Sequence, residues 1–241
     1  MIRASVAMVT YNGGRYLEEQ LDSVLAAMGE QDELVVSDDG SKDNTREIIC
    51  NYMKKDGRVR MTEGPGRGVK QNVDHVLRQC RGKYIFLADQ DDVWKQAKIE
   101  LVLQTFVEKN CDVVVHDAVV VDAEGKNVLL DSFYSLKNSG PGTVKNIWRN
   151  TYMGCCMAFR RELLEAALPI PEDIEMHDQW IGVLNDVQGG KTCFIPDRLL
   201  YYRRHGENES SLTHYGFGRM LSNRLHFIRQ LRRRIKALGK G

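Results

Sequence analysis

Short apolar runs alternate with amphipathic ones through the first 109 residues. Residues 4–10 (ASVAMVT), 33–37, 58–62 and 83–88 (KYIFLA) read as strands. Between them, residues 15–28 set Leu17, Leu21, Val24, Leu25 and Met28 on one helical face. Residues 43–55, a stretch after Gly64-Pro65-Gly66-Arg67-Gly68 reaching Cys80, and residues 95–109 predict three further helices, with Asp43 a cap. Strands alternating with helices of this length predict right-handed crossovers and a mainly parallel sheet.

The second half is less regular. Residues 112–121 (DVVVHDAVVV) predict a long strand, 135–142 (SLKNSGPG) a flexible loop and 152–159 a buried strand. A helix is expected over 176–187, then two short strands around Pro196-Asp197. Residues 219–238 place Leu221, Leu225, Ile228, Leu231, Ile235 and Leu238 at spacings of three and four among arginines, a basic amphipathic helix.

Charge adds one feature. The chain has 241 residues, with 34 Lys+Arg against 33 Asp+Glu. Eight of the basic residues and no acidic ones lie between Tyr215 and Gly241, so a mildly acidic body ends in a basic tail. Such a tail suits an anionic membrane surface, a partner protomer of a homodimer, or packing on the domain itself. It has no groove-reading motif, and no nucleic-acid partner is expected. No apolar run of about 18 residues occurs, and the first strand is no signal sequence. The six cysteines form neither a CxxC nor a zinc pattern and read as free thiols. Together these predict a cytoplasmic protein, either free or peripheral on the inner face of the cell membrane.

In a parallel sheet, ligands sit at the carboxyl ends of the strands. Three polar clusters fall there: Thr10-Tyr11-Asn12, Asp38-Asp39-Gly40-Ser41 and Asp89-Gln90-Asp91-Asp92. In an extended segment Asp89 and Asp91 share a face, and carboxylates so crowded need a cation or donors. Mg²⁺ or Mn²⁺, bound with a diphosphate, meets that need; an acidic loop capping the next helix is the plainer alternative. Asp38 and Asp39 offer acceptors to the imide N–H of uracil or thymine, although a turn and cap explain Gly40, Ser41 and Asp43 equally. Tyr11 can stack on a base. Asp178 opens an apolar-periodic stretch, where a carboxylate serves as helix cap or as general base.

These motifs, in this order, resemble the family 2 glycosyltransferases of GT-A fold. Met176-His177-Asp178-Gln179-Trp180 and Tyr202-Arg203-Arg204-His205-Gly206-Glu207-Asn208 resemble the rhamnosyltransferase-like bacterial branch, which builds surface polysaccharides. The resemblance implies an α/β GT-A domain over residues 1–212, with a donor half (1–110) and an acceptor half (111–212), followed by the helical tail 213–241. It implies metal-dependent inverting transfer from a UDP-hexose or dTDP-rhamnose type of donor to a saccharide or polyprenyl-diphosphate-linked acceptor. Thr10, Tyr11, Asn12, Asp38, Asp39, Lys70, Asp89 and Gln90 would then bind the donor. Asp91, joined by His205, would hold Mn²⁺ or Mg²⁺. Asp178 would take the proton from the acceptor hydroxyl as it attacks C1, with Gly154, His177 and Trp180 at the acceptor. Where many relatives carry Arg-Asn, this chain has Gln71-Asn72. The QxxRW signature of processive synthases is absent. Two other classes share parts of the pattern: a nucleotidyltransferase, which would release diphosphate from a nucleoside triphosphate, and a degenerate binding module. The first lacks its Gly-rich basic loop after the first strand.

Overall fold

The computed structural model describes residues 1–206, 208 and 217–239. Glu207 and the expected 212/213 boundary lie outside the described residues. Four strands carry the first half: β1 (Ala4–Thr10), β2 (Glu33–Asp38), β3 (Val59–Glu63) and β4 (Tyr84–Ala88). Every residue of β1, β2 and β4 is buried, because helices cover both faces of a parallel sheet. The helices are α1 (Leu17–Ala27), α2 (Thr45–Lys55), α3 (Val69–Gln79) and, beyond the two-residue β5 (Val93–Trp94), α4 (Lys98–Lys109). Each falls within or close to its expected stretch.

One sheet runs through both halves in the order β3-β2-β1-β4-β8-β6-β9-β5, with β7 (Val128–Leu130) attached to β6 (Val113–Val121). β3, β2, β1 and β4 are mutually parallel. β8 (Met157–Arg160) is antiparallel to both β4 and β6. It therefore joins the strands of the second half of the chain to those of the first. Strand order reverses at β1, whose neighbours are β2 and β4; this is the switch point at which such sheets open a crevice. Registers Thr10↔Asp38 and Met8↔Ala88 bring all three polar clusters to that end.

The second half departs from expectation in several places. Residues 192–203 form one strand, β9, rather than two. The register slips between Ile195 and Arg198 opposite His116 and Asp117, so Pro196-Asp197 is a bulge within the strand. The expected loop at 135–142 overlaps a short helix, α5 (Phe133–Lys137), capped by Ser132 and ended by left-handed Asn138. The rest of that segment is pinned by Asn146, whose Nδ2 donates to Gly140 O at 3.1 Å from α6 (Thr143–Trp148). The expected strand at 152–159 divides into a 3-10 turn, Gly154–Cys156, and β8. α7 (Leu163–Ala167) and α8 (His177–Val187) follow. The tail helix, α9 (Phe217–Leu238), packs on the body through Phe227 and Leu231. No helix among the described residues is long and apolar enough to cross a membrane.

Candidate active site

The end of β2 is a closed hydrogen-bonded turn. Asp38 is buried and accepts from Thr10 Oγ1 (2.9 Å), Ser41 Oγ (2.5 Å) and the Ser41 amide (3.0 Å). Its carboxylate thus braces the turn. Asp39 stands beyond it, with one oxygen accepting from Gly66 N–H (2.7 Å) and the other from Gly68 N–H (2.8 Å). Both glycines have positive φ, which lets the loop curl round the carboxylate. Lys70 turns its ammonium to the carbonyls of Glu172 (2.7 Å) and Ile174, tying α3 to the segment before α8.

Gln90 locks β4 to β1. It accepts from Tyr11 N–H at 2.8 Å and donates to Tyr11 O at 3.0 Å, leaving the Tyr11 ring exposed. A Cβ on Gly13 would stand 2.2 Å from Gln90 Oε1, so a side chain there would displace the Gln90 amide. Asn12, at φ 48°, donates its N–H to Ser41 Oγ and accepts from Lys42 N–H. Three of the expected donor residues are therefore occupied in shaping the cleft rim.

The acidic strand end is crowded. Asp91 Oδ2 lies 2.8 Å from His205 Nε2 and 3.3 Å from Asn208 Nδ2. Tyr16 stacks on His205 with centroids 4.8 Å apart, holding the imidazole in place. Burial pushes Asp89 up to about 7, with help from Asp91 and then Asp178. Burial, with Asp91 and Asp89, raises Asp92 well above the usual carboxylate range. Beneath them Lys98 is wholly buried, donates to Cys155 O at 2.7 Å and sits 3.6 Å over the Trp94 ring. Its cost of burial lowers it to about 8.

Asp178 faces this cluster from the first turn of α8. Its oxygens accept from Asn150 Nδ2 (3.0 Å), Gln179 N–H (2.5 Å) and Gly154 N–H (3.1 Å). Burial raises its pKa; His177 and these donors act in the opposite direction. A carboxylate that is hard to keep ionised, yet oriented by three donors, has the character of a general base. Gly154 thus belongs to the Asp178 cradle, and a Cβ there would meet His177 Nε2 at 3.1 Å.

Trp180 corrects an expectation. It is fully buried, donates to Ala167 O at 2.8 Å and meets Phe227 edge-on at 6.1 Å, so it packs α8 against α9 and touches no acceptor. Trp180→Ala is expected to cost about 3–5 kcal/mol of stability. Chemical denaturation will show this; a loss below about 1 kcal/mol would contradict the packing role.

Supporting residues differ from, or are missing in, the sequence reading, in which the arginines before His205 are expected to close over a diphosphate. Arg203 is buried and donates to Asp91 O (2.9 Å), Ala123 O (3.0 Å) and Glu19 (2.6 Å). It braces the Asp91 loop and does not close over the cleft. Gln20 donates to Asp89 O at 2.7 Å from the apolar stripe of α1. A polar residue inside an apolar stripe was the available signal for both Gln20 and Lys98. Asn150 had no such signal.

The family model for glycosyl transferase family 2 matches residues 5–168. The chain belongs to glycosyltransferase family 2. This glycosyltransferase is 27% identical over 233 residues to TuaG of Bacillus subtilis, a glycosyltransferase assigned by name to teichuronic acid biosynthesis; the match covers 93% of the chain and 90% of TuaG. It is also 27% identical to an uncharacterized glycosyltransferase of Nostoc sp., covering 86% of the chain and 66% of that protein. Against GlyG of Streptococcus pneumoniae the identity is 35%, over 46% of the chain and 37% of GlyG. The chain thus spans from about a third to nine-tenths of these relatives.

Solved structures of similar fold include S. aureus TarS 1-349 in complex with UDP-GlcNAc, with TM-score 0.71 and 20% identity over 94% of the chain and 66% of that one. The mannosyltransferase PcManGT of Pyrobaculum calidifontis, in complex with GDP-Man and Mn²⁺, gives 0.64 and 19% over 99% and 65%. The glycosyltransferase has the GT-A fold.

Proposed function

We propose that this enzyme transfers a sugar, with inversion, from a uridine or thymidine diphosphate sugar to a hydroxyl of a saccharide or polyprenyl-diphosphate-linked acceptor in bacterial cell-surface glycan synthesis. The observation that carries this reading is that Asp91, paired with His205, and donor-cradled Asp178 both lie close enough to buried Asp89, just beyond β4, to raise its pKa. TuaG and TarS support the glycan context, and the nucleotide sugars bound by TarS and PcManGT support the donor class.

The residues suit a hard divalent ion. Asp91 and His205 offer oxygen and imidazole to one point, as Mn²⁺ or Mg²⁺ prefers, with Asn208 beside them. The Asp89-Asp92-Cys155 group is less suited, because it contains a thiol and Asp92 already accepts from Arg203 N–H behind the loop. When bound, the ion neutralises charge that grows on the departing diphosphate. Asp39 accepts the imide N–H of the base, and Tyr11 covers the ring. Asp89 lies toward the ribose. Asp178 takes the proton of the acceptor hydroxyl, and the nucleoside diphosphate leaves from C1.

Calorimetric titration of nucleoside diphosphates with Mn²⁺ tests the donor assignment. A carboxylate facing N3 accepts from uracil and repels the lone pair of cytosine. UDP or dTDP is expected to bind at least about tenfold more tightly than CDP. Equal affinities would remove Asp39 from the base pocket. Release of nucleoside diphosphate, rather than inorganic diphosphate, separates this chemistry from nucleotidyl transfer.

A further inference from the structure

α9 is fixed to the body along one face and, among the described residues, leaves much of a second apolar face exposed. On the fixed face, Phe227 and Leu231 are buried, Arg224 donates to Trp148 O (2.8 Å) and to Glu175 (3.2 Å), and Gln230 reaches Asp173. Arg234 donates to Leu168 O and Pro169 O and lies over the Trp180 ring. A second stripe of Leu221, Leu225, Ile228 and Ile235 is set roughly 100° around the helix. Leu225 is 59% exposed and Ile235 43%. Arg229 and Lys236 border this stripe on its solvent side, and Arg232 stands within it. All three are exposed, and none forms an ion pair among the described residues.

The apolar surface extends beyond α9. On α6, Val144 is 70% exposed and Trp148 52%, one turn apart. The Arg224–Trp148 bond brings α6 to the edge of the helix on which the stripe lies.

An exposed apolar row flanked by unpaired cations, on an otherwise acidic protein, calls for an occupant that is apolar within and anionic outside. A second copy presenting the same face would set three cations against three like charges. Nucleic acid would meet the cations and have no use for the leucines. We infer that this face docks the enzyme on an anionic lipid surface. α9 lies in the interfacial plane with its stripe among the acyl chains, its arginines at the headgroups, and Trp148 at the headgroup level. The inference stands on α9 and α6 and does not rest on the reading of the donor site.

Cosedimentation of the full chain with vesicles tests it. Wild type is expected to pellet with phosphatidylcholine vesicles containing about one third phosphatidylglycerol, to stay in solution with phosphatidylcholine alone, and to be released by salt. Leu225→Glu/Ile235→Glu and Arg229→Glu/Arg232→Glu/Lys236→Glu should each weaken partitioning at least about tenfold. Both variants should keep the wild-type melting temperature, because every substituted side chain is exposed. Wild type that stays in solution with anionic vesicles would overturn the proposal, as would variants that pellet like it. A dimer that Leu225→Glu/Ile235→Glu dissociates, with no vesicle binding by either form, would also overturn it and give the stripe to a second copy.

Discussion

Asp91→Asn is expected to lose Mn²⁺-dependent nucleotide binding and to lower kcat/KM by about 10³-fold or more, roughly 4 kcal/mol of transition-state stabilisation. The substitution removes the carboxylate charge that stands beside His205 while keeping the side chain's size. Arg203 grips the Asp91 carbonyl, not its side chain, so the loop keeps its course. Unchanged thermal unfolding together with a silent calorimetric titration would be the signature. Wild-type turnover in this variant would refute the metal assignment.

Asp178→Asn is expected to behave differently. Nucleotide affinity should be retained, and transfer should fall by about 10²–10⁴-fold, the usual contribution of a positioned base. Product formation followed over pH adds a second test. The base works only when ionised, and burial raises its pKa in the folded protein. The acid limb of kcat/KM therefore lies above the ordinary Asp value of about 3.9. Asn150→Ala removes a donor that favours the ionised form, so it should move the limb to still higher pH. A purely structural role for Asn150 would lower the amount of folded enzyme and leave the limb in place. Linkage runs the opposite way: a raised carboxyl pKa favours folding below the unfolded value, and that contribution is lost as pH rises through the folded one, while activity is gained.

The donor side of the fold was legible in the sequence because local pattern and tertiary role coincide there. Ala4–Thr10, Glu33–Asp38 and Tyr84–Ala88 are apolar runs that end in polar clusters, and a parallel sheet leaves those clusters together. The later elements were harder to read. β5 has two residues and β7 three, too short for periodicity, and their pairing with β9 and β6 is non-local. Pro196-Asp197 reads as a break, yet β9 absorbs it as a bulge opposite β6. Trp180 shows the limit at the site. Its place beside Asp178 in sequence suggests the cleft, but helical geometry turns it roughly 200° from Asp178, toward α9. Asn150 acts on Asp178 across 28 residues of sequence, a pairing that no local pattern announces.

Arg203 places a constraint on how such enzymes can be recombined. A crossover between the first and second halves of two relatives would separate Arg203 from Glu19 and from the Asp91 loop that it holds. The second half is therefore not a free cassette. To exchange it, an engineer must carry the matching residues of α1 and the acidic loop along with it.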